Sequence, residues 1–207
     1  MRIGFIGSGR IGSNLARLAV AQGHDVVMSN SRGPQTLDQL VAELGPHARA
    51  ATVAEAADEG EVVVVTVPLK AIDAVPAEPL RGKVVVDTCN YYTERDGEFA
   101  ELDAGRTTSS ELLASRLPGA RVVKAFNAIY FEHLIEHADR TGPAGRRALP
   151  IAGDDDDAKK VVTGLIESFG FDVVDAGPLS EGRRFQPDTP AYGADATADE
   201  LRTLLGR

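Results

Sequence analysis

Three glycines near the N-terminus, Gly7, Gly9 and Gly12, have a spacing that suits a dinucleotide. In the pattern G-x-G-x-x-G, the first glycine permits a tight turn and the second lets the backbone approach a pyrophosphate. The third lets a helix pack closely on a strand. The N-terminus of that helix offers unpaired N–H groups to an anion. Glycines kept for packing alone are the alternative, but the flanking strand and helix patterns favour a dinucleotide site.

The residues after the second apolar run indicate which dinucleotide binds. An NAD site usually carries Asp or Glu here for the ribose 2′-hydroxyl, whereas this chain has Ser29, Asn30, Ser31 and Arg32. A carboxylate repels a 2′-phosphate, and a guanidinium with nearby hydroxyls binds one. A solvated arginine in a turn is the alternative. The sequence therefore predicts NADP(H) as the cofactor.

Strand and helix patterns alternate along most of the chain, and these elements must position the glycine turn and the residues of the second strand end. Apolar runs predict strands over 2–7, 25–29, 61–68, 83–90, 120–127, 149–153 and 171–177. Helical spacing and caps predict helices over 11–22, 33–44, 52–60, 70–75, 110–116, 131–138 and 154–170, with 141–148 as a loop. Such alternation predicts an α/β fold, a Rossmann-type doubly wound and mostly parallel sheet with right-handed crossovers.

The predicted organisation has two parts. Residues 1–128 form an NADP-binding Rossmann domain, and residues 129–207 form a small C-terminal α/β extension that completes the cofactor cleft and a dimer contact. Ligands bind such sheets at the carboxyl ends of the strands. Pro68, Asn90 and Asn127 end predicted strands, and the two amides could hold a carboxamide or a ring carbonyl without adding charge. Each is equally plausible as a turn residue without ligand contact.

Longer stretches resemble a known family, the NADPH-dependent F420H2:NADP oxidoreductases. The stretches "IGFIGSGRIG" and "SNSRGP" resemble the NADP site of that family. Residues 151–179, "IAGDDDDAKKVVTGLIESFGFDVVDAGPL", resemble its C-terminal strand–helix–strand unit. The resemblance implies hydride transfer between C4 of the nicotinamide and C5 of the deazaflavin ring of coenzyme F420. It also implies a homodimer.

The resemblance assigns site residues in three groups, and the chain departs from the family in one of them. The first group is the phosphate turn, with Gly7, Ser8, Gly9, Arg10, Ile11 and Gly12. The second group contacts the 2′-phosphate, with Ser31 and Arg32. The third group forms the two ring sites, with Thr66, Val67 and Pro68 beside the nicotinamide and Asn127, Ala128 and Ile129 in the deazaflavin pocket. Archaeal members have histidine where this chain has Asn127 and tryptophan where it has Leu69. The stretch "VVKAFN" is closer to the NADPH-oxidising domain of the STEAP metalloreductases, which passes electrons to a flavin.

Three functions follow as alternatives. The first is an NADP-dependent oxidoreductase that exchanges hydride with coenzyme F420. The second is an NADPH-dependent reductase of a flavin, FMN or FAD, and the third is a non-catalytic NADP(H) redox sensor. Hydride transfer between two bound rings needs proximity and stacking more than an acid or base, so no catalytic side chain is assigned.

The amino-acid composition limits the classes of partner that the protein is expected to bind. The net charge of -9 argues against nucleic acid, and the absence of a long apolar run argues against a membrane span. The single cysteine, Cys89, excludes an internal disulfide and fits a reducing cytoplasm. The acidity also opposes a polyanionic coenzyme, which Arg146-Arg147 and Arg183-Arg184 could offset locally.

Three other features have structural interpretations that we favour, and a fourth, the tyrosine pair, has several. His133 and His137 predict a polar helix face rather than a metal site, and Asp154 to Asp157 predict a helix cap rather than a calcium loop. Cys89 is expected to be a small buried side chain. Tyr91 and Tyr92 could stack on a ring, act as a lid, or pack in the core or an interface.

Overall fold

The computed structural model describes residues 1–138 and 145–207, which form an α/β fold around one eight-stranded sheet. The strands, in chain order, are β1 Arg2–Ile6, β2 Asp25–Ser29, β3 Ala48–Ala50, β4 Val62–Val65, β5 Val84–Asp87, β6 Arg121–Lys124, β7 Ala148–Gly153 and β8 Asp172–Asp175. Their order across the sheet is β3-β2-β1-β4-β5-β6-β7-β8, and among the described strands only the β6–β7 pair is antiparallel. The predicted Rossmann-type, mostly parallel sheet is confirmed.

Helices cover both faces of the sheet. The α-helices are α1 Arg10–Ala21, α2 Asp38–Leu44, α3 Val53–Glu59, α4 Thr93–Asp96, α5 Ala100–Asp103, α6 Ser109–Arg116, α7 His133–Glu136, α8 Asp156–Ser168 and α9 Ala198–Leu204. Short 3-10 helices cover Pro34–Leu37, Leu69–Ala74, Glu78–Leu80 and Leu179–Phe185. In the part of the chain that the structure describes, no helix is long and apolar enough to cross a membrane.

Strand β4 is apolar along its whole length because both of its faces are covered. All four valines of β4 are buried, and alternate residues of a strand point to opposite faces. Val62 and Val64 therefore join the core beneath α1 and α8, whereas Val63 and Val65 join a second core with Leu113 of α6. This packing holds the carboxyl ends of β1, β4, β5 and β6 side by side.

The C-terminal residues extend the same sheet. Phe185, Ala191, Leu201 and Leu205 form a smaller apolar cluster with residues of β7 and β8. After β8, the chain runs back to the carboxyl edge of the parallel strands, where the Phe185 carbonyl oxygen accepts a hydrogen bond from Asn127 Nδ2 at 2.9 Å. The division into two domains at residue 128 stays a prediction.

Several sequence predictions need correction. Strand β3 was not predicted, since "ARA" carries no apolar run. The helical stripe over 131–138 yields only the four-residue α7, and Ile135 is 45% exposed. No helix was predicted after residue 170, whereas the chain forms α9 over Ala198–Leu204. Of the predicted loop, 141–144 lie outside the described residues, and Ala148 already belongs to β7.

Candidate functional site

The turn between β1 and α1 contains three glycines, and a different physical reason explains the glycine at each position. Gly7 has a φ of +115°, and a Cβ there would lie 2.1 Å from the carbonyl oxygen of Thr66. A Cβ on Gly12 would lie 2.5 Å from the carbonyl oxygen of Gly7, so the close packing of α1 requires this glycine. Gly9 has an ordinary φ of -70°, and a Cβ there would have no atom within 4 Å. Protein packing therefore does not explain Gly9, whereas space for a pyrophosphate does.

The N-terminus of α1 is open to an anion. Its N-cap residue is Gly9, which offers no side-chain cap, and the first turn has no acidic residue. Ser8 and Arg10 flank this turn, and the Arg10 guanidinium lies 4.6 Å from the ring centre of Phe131. The helix dipole and the adjacent Ser8 hydroxyl and Arg10 guanidinium therefore favour negative charge here.

A cavity of about 300 Å³ adjoins the turn on the β2 side. Gly7, Ser8 and Asn30 to Arg32 line it together with Val53, Ala71, Ala74 and Val75, which the sequence analysis missed. The Asn30 side chain donates to Ser8 Oγ at 3.2 Å and to Thr36 Oγ1 at 3.0 Å, and it accepts from the Arg32 N–H at 2.9 Å. Asn30 thus holds the 30–36 loop in shape, so that Ser31 and Arg32 stand at its exposed rim.

Arg32 is suited to bind an anion. Its side chain is exposed and makes no hydrogen bond or ion pair with any residue that the structure describes, and Ser31 beside it is equally exposed. Thr36 adds a hydroxyl on the same side of the loop, against a surface that Ser8 and Arg32 also line. Thr36 was missed because it lies beyond the glycine-proline turn, away from the strand end.

A second cleft of about 520 Å³ lies across the carboxyl ends of β4, β5 and β6. Gly9, Thr66, Val67 and Pro68 line both the cleft and the 300 Å³ cavity, so the two spaces meet along the phosphate turn. One elongated ligand can therefore place one end at Arg32, its middle at Gly9 and its other end in the cleft. That arrangement fits a dinucleotide.

The end of β6 is shaped to present Asn127. Phe126 precedes it with a φ of +58°, a left-handed conformation that costs about 1–3 kcal/mol in a residue other than glycine. Phe126 is itself buried and tilted against Phe169, with ring centres 6.1 Å apart. Such strain occurs mainly where the surrounding structure fixes a functional conformation. The observation supports the predicted place of Asn127 in the cleft.

Asn90 and Asn127 lie together at the floor of the cleft. Asn127 Nδ2 donates to Asn90 Oδ1 at 3.1 Å and to the Phe185 carbonyl oxygen at 2.9 Å. Asn90 Nδ2 donates to the Asn127 carbonyl oxygen at 2.8 Å and to the Tyr192 hydroxyl at 3.3 Å. The buried Asn127 Oδ1 has no partner among the described residues.

Aromatic and basic residues complete the cleft, and most were not predicted. The lining includes Tyr92 and Phe126, Tyr130 and Phe131, Tyr192 of the C-terminal segment, and Arg95. Arg95 donates to the Asn90 carbonyl oxygen at 2.6 Å and stands 4.9 Å from the ring centre of Tyr92. The lining contains no carboxylate, histidine or lysine in the part of the chain that the structure describes.

Two predicted site residues lie apart from both cavities. Gly12 serves the packing of α1 on the turn. Ala128 is buried in the C-terminal apolar cluster, and its carbonyl oxygen accepts from the Gly193 N–H at 3.1 Å. Ala128 therefore anchors the C-terminal segment instead of lining the cleft, whereas Ile11 and Ile129 line the cleft as apolar walls.

A charged cluster lies buried behind the cleft. Lys124 Nζ is 4.0 Å from Asp87 Oδ2 and donates to the Cys89 carbonyl oxygen at 3.1 Å and to two serine hydroxyls of α6. Burial lowers the pKa of Lys124 and raises the pKa of the Cys89 thiol. Cys89 is therefore the small buried side chain that we expected, and the cluster fixes the end of β5 from which Asn90 follows.

The remaining polar features are structural. Asp155 caps α8 by accepting from the Ala158 N–H at 2.7 Å, as predicted. His133 and His137 stack with ring centres 4.3 Å apart, and each Nδ1 faces the buried guanidinium of Arg147, at 3.0 and 3.2 Å. Glu136 lies close enough to complete three metal ligands, but the arginine beside the two rings opposes a cation there.

Comparison with known proteins gives a consistent result. A family model described as NADP oxidoreductase, coenzyme F420-dependent, matches residues 2–91. The F420-dependent NADP reductase of Methanothermobacter marburgensis is 34% identical over 199 residues, which cover 89% of this chain and 87% of the relative. Metalloreductase STEAP3 of Rattus norvegicus is 33% identical over 188 residues, 89% of this chain, but the chain spans only 36% of its length. The crystal structure of the hypothetical protein SMa0349 of Sinorhizobium meliloti superposes with a TM-score of 0.82 at 30% identity, covering 95% of each chain.

The fold, the joined cavities and these matches define the class as an NADP-dependent oxidoreductase. Within that class, the chain belongs to the family of coenzyme F420-dependent NADP oxidoreductases.

Proposed function

We propose that this enzyme transfers a hydride between NADP(H) and coenzyme F420. The observation that carries the proposal is the pair of cavities that meet at the phosphate turn: one suits the adenosine half of NADP(H), and the other can hold the nicotinamide with a second ring. The name of the M. marburgensis relative supports F420 as that second ring.

The lining of the cleft supports a ring-to-ring transfer. NADPH supplies the hydride from C4 of its nicotinamide, and no proton needs to pass through the protein for that step. A cleft with aromatic walls and no carboxylate, histidine or lysine in its described lining suits this chemistry. The protein then acts by holding the rings together and excluding water.

In this proposal the residues have separate tasks. Ser31, Arg32 and the Asn30-braced loop hold the 2′-phosphate, and Ser8 to Arg10 with the open end of α1 hold the pyrophosphate. Thr66, Val67 and Pro68 support the nicotinamide, since they line the junction of the two cavities. Asn90, Asn127 and Ile129 form the part of the cleft that receives the second ring.

Charge favours a flavin, FMN or FAD, as a second candidate acceptor. Coenzyme F420 carries a polyanionic tail, and the net charge of the chain is -9. Arg147 is buried against two histidines, and Arg184 forms an ion pair with Glu181, so neither is free to bind that tail. Arg183 faces a neighbouring cavity of about 580 Å³ that Glu94 and Asp188 also line.

One absorbance experiment tests both candidates. NADPH oxidation is followed with coenzyme F420, FMN and FAD side by side at equal acceptor concentration. We expect turnover with F420 and much less with either flavin. Turnover with a flavin alone would replace the proposed acceptor, and tight NADPH binding without turnover on any ring would favour the redox sensor. A homodimer and a cytoplasmic location stay predictions.

A further inference from the structure

Two tyrosines from distant parts of the chain meet in the cleft. Tyr92 follows β5, and Tyr192 belongs to the C-terminal segment, 100 residues later. Their hydroxyls hydrogen-bond to each other, and both side chains line the 520 Å³ cleft beside Asn90 and Asn127. No sequence pattern connects the two residues, so only the fold reveals the pair.

The direction of the neighbouring hydrogen bonds is fixed by main-chain carbonyls. Asn127 must turn its nitrogen to the Phe185 carbonyl, and the same nitrogen donates to Asn90 Oδ1. Asn90 must therefore turn its own nitrogen to the Asn127 carbonyl and to Tyr192, at 2.8 and 3.3 Å. Tyr192 accordingly accepts one hydrogen bond from Asn90.

The two hydroxyls carry more protons than they donate within the described part of the protein. Two tyrosine hydroxyls carry two protons. One proton forms the bond between Tyr92 and Tyr192, and the hydroxyl oxygen of Tyr192 also accepts from Asn90. The second proton has no acceptor among the residues that the structure describes. One O–H group of the pair is therefore available to a ligand in the cleft.

The surroundings keep this group a donor. Burial and the neighbouring hydroxyl raise the pKa of Tyr192, so it stays protonated at neutral pH. The guanidinium of Arg95 stands over the Tyr92 ring and donates to the Asn90 carbonyl, which holds the donor in place. The C-terminal segment is anchored close by, since the Gly193 N–H donates to the Ala128 carbonyl at 3.1 Å and Arg147 donates to the Gly193 carbonyl at 3.2 Å.

We propose that the Tyr92–Tyr192 hydroxyl pair donates a hydrogen bond to a ring carbonyl of the second substrate, the carbonyl of its imide edge. This inference rests on the proposed function, because it requires a ring acceptor beside the nicotinamide. Deazaflavins and flavins share that edge, so the pair recognises their common chemistry. A donor at this carbonyl also stabilises the negative charge that the ring gains with the hydride, without transferring a proton.

Binding and infrared spectra test the proposal. Y92F and Y192F each remove one hydroxyl and keep the ring, and Y91F is the matched control, because Tyr91 bonds to Gly97 and Asp103 and does not line the cleft. F420 and FMN are titrated separately by fluorescence into protein saturated with NADP⁺. The carbonyl stretching band of each bound ring is recorded at concentrations that saturate every variant.

We expect one of the two variants, the one that removes the free O–H group, to weaken binding of the ring about threefold to tenfold, the contribution of one neutral hydrogen bond. In that variant the carbonyl band should shift to higher frequency, the other cleft variant should have a smaller effect, and Y91F should change neither quantity. A band that stays at the wild-type position in both cleft variants overturns the proposal, and so does failure of both rings to bind the wild type. If FMN binds with the expected shifts while F420 is neither bound nor reduced, the proposed acceptor fails and the hydrogen-bond assignment stands.

Discussion

Replacement of Arg32 by alanine tests the assignment of the phosphorylated dinucleotide. The side chain is exposed and has no partner among the described residues, so its removal should change the free energy of unfolding by less than about 0.5 kcal/mol. A hydrogen bond between charged groups contributes about 1.5–3 kcal/mol. Because the site is open to solvent, we expect the lower end, about 1.5 kcal/mol, which is roughly a tenfold loss of affinity for NADPH.

Isothermal titration with NADPH and NADH measures this effect. NADH lacks the 2′-phosphate, so its dissociation constant should stay within about twofold of the wild-type value, since no strong contact is lost. R202A is the control, because Arg202 is an exposed arginine of α9 paired with Asp199, away from both cavities. Equal losses for NADPH and NADH in R32A, or a wild type that prefers NADH, would refute the reasoning.

Three further predictions concern the turn, the loop after β5 and the C-terminal segment. Gly9→Ala should leave the melting temperature nearly unchanged but weaken NADPH binding at least tenfold. Gly7→Ala should instead lower the melting temperature, because its Cβ would lie 2.1 Å from a carbonyl oxygen. Equal NADPH affinity of G9A and the wild type would contradict the role given to Gly9. Burial raises the pKa of Asp96, but hydrogen bonds from Arg95 and from backbone N–H groups outweigh it and hold that pKa below its ordinary value. Asp96→Asn should therefore lower the free energy of unfolding by about 1.5–3 kcal/mol at neutral pH. The difference between variant and wild type should vanish as pH falls through the lowered pKa of Asp96, which urea unfolding at several pH values measures. A difference that stays constant with pH would contradict this prediction. Phe185→Ala should cost about 3–5 kcal/mol of stability in denaturant unfolding, since this fully buried ring fills the C-terminal cluster, and a loss below about 1 kcal/mol would show that the cluster is not tightly packed.

Local patterns made most of the fold predictable. The valine runs of β4 and β5 and the capping box of Thr52 with Glu55 depend on residues close in sequence, and the structure contains them. Strand β3 and the extent of α7 depend on tertiary contacts. The Phe131 carbonyl, for example, accepts from Asn14 Nδ2 at 2.6 Å, a contact between residues 117 positions apart. Periodicity carries no information on such contacts.

The same distinction applies to the candidate site. The phosphate turn and the Asn30-to-Arg32 loop lie within one strand–helix–strand unit, so their spacing is visible in the sequence. Asn127 was recognisable as a strand end. Arg95 lies in the short helix α4, Thr36 in the 3-10 helix Pro34–Leu37 and Tyr192 in a turn, and no repeating sequence pattern marks them. Only the folded chain brings them to the ligand side. The part of the site for the second ring was consequently the least predictable.

The two proposed halves of substrate recognition lie in separate parts of the chain. The turns after β1, β2 and β4, in the parallel half of the sheet, carry the groups assigned to NADP(H), while the returning C-terminal chain brings Tyr192 over the far end of the cleft. Insertions or replacements in that returning chain would leave the glycine turn and its helix untouched. Under the proposed function, a change of the second redox substrate on this scaffold therefore leaves the NADP(H) site intact.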